Sequence, residues 1–167
     1  VIDQPVYSQF GFTDDEWGLL ANLPQAVLTA ASAAEADGTR RTMAENAAGM
    51  DAISLGRESP SPLVAAVARE VVQRTGDPEA GEELPVIRPA DPPALVADVL
   101  DRARGAAALL ATKVDAGDAG AYKQWLVRIA EEVVSAAASG GFLGLGGDVV
   151  SEAERRFRDE LSHVLND

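Results

Sequence analysis

An all-α fold, a compact bundle of about seven helices, is the expectation from three features of this sequence. Apolar residues recur every three to four positions along most of the chain, and only residues 84–87 resemble a strand. Hydrophobic residues make up 47% of the 167, yet aromatics only 5%; a core of Ala, Leu and Val favours close helix packing over a sheet. Three segments also match the helix-opening capping box, in which a Ser or Thr hydroxyl and a Glu three residues on satisfy each other's free amides: Thr13–Glu16, Thr42–Glu45 and Ser151–Glu154.

Residues 1–12 read as an extended arm, with Pro5 and Gly11 as breakers. The first box opens a helix over 14–22, with Asp14 and Asp15 at the positive end of its dipole and Trp17 and Leu20 facing inward. Pro24 is expected to stop it and to start a second helix reaching residue 36, which buries Val27, Leu28 and Ala31. After a turn at Asp37-Gly38, the second box opens a helix over 42–55 with Met43, Ala47, Met50 and Ile53 as its apolar stripe. Ser59-Pro60-Ser61-Pro62 starts the next, which carries Leu63, Val67 and Val71 and ends near Arg74. Residues 76–91 collect Pro78, Pro85 and Pro89 with several acids and read as a linker. Asp91-Pro92-Pro93 starts a helix to about residue 114 through Leu95, Val99, Ala106 and Leu110. Asp118 is expected to cap the next, whose inward stripe is Tyr122, Trp125, Leu126, Ile129 and Val133. A glycine-rich loop over 140–147 leads to the third box and a last helix with Phe157, Leu161, Val164 and Leu165 inside. The whole is expected to form one domain over 1–167, with halves at about 13–75 and 92–167.

Composition excludes several functions. The net charge is −13, which repels a phosphate backbone or an anionic membrane surface. The basic run Arg155, Arg156 and Arg158 is interleaved with acids and reads as a solvated, ion-paired face. There are no cysteines, so thiol catalysis, disulfides and thiolate metal sites are absent, as suits a cytoplasmic protein. No apolar run approaches the ~20 residues of a membrane span.

Two segments echo each other. Residues 27–38 form an alanine-rich helix and glycine turn leading to Thr42–Glu45, and residues 133–141 do the same, through a longer loop, before Ser151–Glu154. A pair of pseudo-repeated helical hairpins explains this, as does coincidence in an alanine-rich chain. The pattern, above all Ala36-Asp37-Gly38 followed by Thr42 and Glu45, resembles the tellurite-resistance TerB-like family. The second unit departs from the family pattern at Gly140, where an acid would stand. The resemblance covers about half the chain and implies an all-helical fold with a stress-related or scaffolding role in the cytoplasm, but no reaction.

Candidate chemistry is sparse. Asp37, Glu35 and Glu45 offer oxygen ligands to a divalent cation such as calcium, but the spacing is not that of an EF-hand, and turn and capping roles are the better reading of them. Gly140–Gly147 has neither the spacing nor the preceding strand of a dinucleotide loop. Its Phe142, Leu143 and Leu145 are large apolar residues among five glycines, suited either to tucking into the core or to docking a partner. His163, the one histidine, lies near the end of the last helix, where a cation favours the dipole. Acid pairs such as Asp14–Asp15, Glu82–Glu83 and Glu131–Glu132 diverge on a helix, and Trp17 and Trp125 read as core anchors. The expected function is a non-enzymatic helical interaction domain acting through a protein partner or self-association. The alternatives are a divalent-metal-responsive domain using the Asp37 turn and an enzyme with a carboxylate site between the halves.

Overall fold

The computed structural model describes residues 10–33, 39–76, 91–139 and 152–166. All regular structure among them is helical: α1 (Asp14–Ala33), α2 (Thr39–Leu55), a 3-10 turn (Gly56–Glu58), α3 (Pro62–Thr75), α4 (Pro92–Lys113), α5 (Ala116–Ser139) and α6 (Glu152–Asn166). The linker 76–91 and the strand-like residues 84–87 lie almost wholly outside the described residues.

The helix starts follow from local chemistry. Thr13 opens α1 as a reciprocal box: its amide donates to Glu16 Oε1 at 2.8 Å and its hydroxyl accepts from the Glu16 amide at 3.2 Å. Asp91 caps α4 by accepting from the Ala94 amide at 3.2 Å, with Pro92 and Pro93 in the first turn. α6 runs over Glu152–Asn166, and Ser151 of the third box lies outside the described residues.

Four expectations are corrected. The segments on either side of Pro24 form one continuous helix, so there are six α-helices among the described residues. Proline has no N–H for the carbonyl four residues back. That carbonyl belongs to Leu20, and the buried Tyr122 hydroxyl of α5 donates to it at 2.8 Å. α2 begins at Thr39, so Thr42 lies inside the helix, and Thr42–Glu45 does not open it. α5 is capped three residues earlier than expected: Asp115 Oδ1 accepts the Asp118 amide at 2.7 Å. On α2, moreover, Ala47 faces solvent rather than the core.

One hydrophobic cluster runs through the described helices. Leu20, Leu23, Leu28, Ile53, Leu63, Leu110, Tyr122, Leu126, Ile129, Phe157, Leu161 and Leu165 are among its fully buried members. The most extensive pairing among the described residues is α2 on α5, and α1 packs on both α4 and α5. The two expected halves therefore share a core. Close approach of α2 depends on Gly49, where a Cβ would sit 2.5 Å from Leu28 Cδ1 and 2.9 Å from Val133 Cγ2. No helix among the described residues is long and apolar enough to cross a membrane.

Candidate functional site

Where α2 ends against α5, the chain builds an apolar groove. Gly56 is the reason a wall can form there. A Cβ at this position would lie 2.7–2.8 Å from the Trp125 indole, so only glycine lets the ring close over the turn. Trp125 Nε1 donates to the Ala52 carbonyl at 3.1 Å. The ring also meets Tyr122 edge-on, with centroids 6.0 Å apart at 69°. The indole is thus held from two sides, and Tyr122 is in turn anchored to Leu20.

The opposite wall is fixed by polar contacts. Arg57 donates through Nε to the Ser54 carbonyl at 3.1 Å and through Nη2 to the Ser54 hydroxyl at 2.6 Å. The Ser59 amide returns to the Gly56 carbonyl at 3.1 Å, and the Ser59 hydroxyl accepts the Ser61 amide at 3.1 Å. The Ser61 hydroxyl accepts from the Val64 amide at 3.3 Å as the α3 cap and donates to Asp118 Oδ1 at 2.6 Å. This last bond ties α3 to α5. Asp118 is therefore the partner of another helix's cap, not the cap of its own.

Between these walls lies a groove of about 450 Å³, open to solvent along one side. Ala52, Val64, Ala121 and Trp125 supply apolar lining, with Leu55 and Pro60 beside them. Glu58 and Ser59 on the turn and Gln124 and Arg128 on α5 supply polar groups. Leu55 is 50% exposed, and it is the one large hydrophobic so exposed among the described residues.

Of the candidate site residues singled out from the sequence, only Glu45 is among the described residues, and it does not line the groove. Glu45 is fully buried, and its Oε2 accepts from the Ser32 hydroxyl at 2.7 Å, joining α1 to α2. Glu35 and Asp37 lie outside the described residues, as do Phe142, Leu143 and Leu145. Among the described residues no three acidic or histidine side chains converge as a metal site would require. His163 is exposed in the last turn of α6, and Arg158 pairs with Asp159 at 3.1 Å on the same helix. Trp17 is a core residue, as expected, whereas Trp125 is buried and also lines the groove. Sequence reading missed the groove. Its one local sign is Leu55, a large apolar residue at the very end of a helix, directly before Gly56 and a Ser-Pro loop. Compared with protein-family models, with curated proteins and with solved structures, the chain matches none significantly.

Proposed function

We propose that this chain is a non-catalytic helical interaction module and that it meets a protein partner through the groove between Leu55 and Trp125. The observation that carries this reading is the exposed Leu55 beside a rigidly held aromatic wall. A large apolar side chain left in solvent next to a prebuilt apolar cleft is the arrangement that partner anchors fill. The net charge of −13 favours a protein over a nucleic acid as that partner. The TerB-like resemblance adds a stress-related or scaffolding setting, and the absence of cysteine suits the cytoplasm.

The test is a partner isolated with the full chain, purified, and titrated back. Leu55→Ser should weaken its binding by about tenfold or more, as for an interface anchor, while the melting temperature stays near that of the parent because Leu55 is half in solvent. Unchanged affinity in the variant would remove the groove from the interface. If the partner is a second copy, the same substitution should abolish a concentration-dependent rise in mass.

A further inference from the structure

The groove carries a charge that the other described residues leave uncommitted. With 27 acidic against 14 basic side chains, a cation on this surface meets a surplus of carboxylates. Arg74, Arg102, Arg104, Lys113 and Arg158 each hold one within 3.2 Å. Arg69, Lys123, Arg155 and Arg156 hold none among the described residues, and neither does Arg128, the one cation that lines the groove. Glu131 and Glu132 follow it at the three- and four-residue spacing of helical ion pairs, yet neither engages it. Arg128 instead lines the groove, one turn along α5 from Gln124 and Trp125.

We infer that the occupant of the groove is an apolar segment of a partner protein bearing one glutamate or aspartate, with its apolar side chain against Leu55 and Trp125 and its carboxylate on Arg128. This rests on the reading of the groove as the partner site. A guanidinium offers a planar fork of donors that matches a carboxylate in two-point contact. An apolar wall beside it reduces solvent screening of that contact. Glu58 stands on the turn side of the groove and repels a carboxylate placed there. The two charges therefore set the direction in which the segment lies. The overall field of −13 disfavours a partner that is acidic throughout, so the carboxylate belongs to a neutral or basic segment. The cleft is open to solvent, which suits a segment that lies across it.

Two pools of hexapeptides, capped at both ends, test the assignment. Both combine Leu, Phe and Ala; one carries a single Glu and the other a single Lys. Each is titrated into the full chain while the indole N–H signal of Trp125 is followed by NMR, with Trp17 as internal reference. The Glu pool should bind about five- to tenfold more tightly than the Lys pool, the range for a partly screened charge-assisted contact. Arg128→Glu should invert that preference and Arg128→Lys should keep its sign, both at the parent melting temperature, because Arg128 is exposed. Leu55→Ser should weaken both pools. Equal binding of the pools, a preference for Lys, or a preference unmoved by Arg128→Glu overturns the carboxylate assignment alone. If neither pool moves the Trp125 signal, the groove itself is overturned as a partner site, and the proposed function with it.

Discussion

Tyr122 acts through one oxygen. Fully buried, it completes the α1 hydrogen-bond ladder that Pro24 interrupts, from 102 residues beyond Leu20. Burial also pushes its hydroxyl well above the usual tyrosine range, so it stays a neutral donor at any physiological pH. Tyr122→Phe removes the donor and leaves the Leu20 carbonyl buried without it, which should destabilise by about 1–3 kcal/mol in urea melts. Pro24→Ala returns an N–H to that carbonyl, so Tyr122→Phe should cost clearly less when combined with Pro24→Ala than in the parent chain. Equal losses in both backgrounds would mean that the carbonyl is not what Tyr122 serves. Glu16 is the second residue with a legible role. Lys113 donates to its Oε1 at 2.8 Å and to the Gly11 carbonyl at 3.0 Å, which clasps the start of α1 to the end of α4. That hydrogen bond, followed by the Thr13 amide, holds the Glu16 carboxyl below its ordinary 4.5 despite some opposing desolvation. A depressed pKa in the folded state stabilises above the unfolded value, and the contribution is lost as pH falls through the folded pKa. The clasp should therefore hold at neutral pH and fail only below 4.5. NMR titration of Lys113→Met should show the Glu16 pKa moving up toward 4.5; a pKa that stays put would assign the depression to the Thr13 amide alone.

Among the elements, those helix starts were legible whose chemistry is local: Thr13 with Glu16, and the Asp91-Pro92-Pro93 run. The start of α3 was legible too, although only the structure shows that the Ser61 cap also reaches Asp118. The misplaced boundaries share a different cause. Pro24 stops a helix by local rules, and a hydroxyl from α5 overrides them. Asp118 has a capping residue's composition but is committed to another helix, so Asp115 takes the cap. The groove was illegible for the same reason, since it needs the end of α2, the loop before α3 and one face of α5 to meet. Glycines divide along this line as well. Gly49 and Gly120 both sit inside helices, where glycine costs about 0.5–1 kcal/mol relative to alanine. A Cβ at Gly120 would meet nothing within 4 Å, so Gly120→Ala should stabilise by roughly that amount. At Gly49 it would strike Leu28, which is itself buried and cannot swing aside, and Val133 behind it. Gly49→Ala should therefore destabilise by about 1–3 kcal/mol despite its better helix propensity. Opposite signs for the two substitutions are the expected result of parallel melts, and a stabilised Gly49→Ala would show that α2 and α5 have slack to separate.

For the whole molecule, the contacts that matter most run between the N-terminal and C-terminal three helices. Leu20 relies on Tyr122, Gly56 on Trp125, Ser61 on Asp118 and Glu16 on Lys113. The internal echo in the sequence invites a picture of two hairpins that fold and then dock, whereas the packing makes the hairpins interdependent through α2 on α5 and α1 on α4. A fragment covering residues 10–76 would expose Leu20, Leu28 and Ile53 and leave the Leu20 carbonyl without its donor, so it should not fold cooperatively. In the intact chain the two tryptophans report the halves separately, Trp17 on α1 and Trp125 on α5. With both labelled as 5-fluorotryptophan, a urea titration followed by fluorine NMR should lose both native signals at the same midpoint, because one core melts once. An early loss of the Trp125 signal with Trp17 still native would mean that α5 can leave while α1 to α3 hold. The contacts that Leu20, Gly56, Ser61 and Glu16 make across the halves would then be an interface between two folding units instead of the core of one.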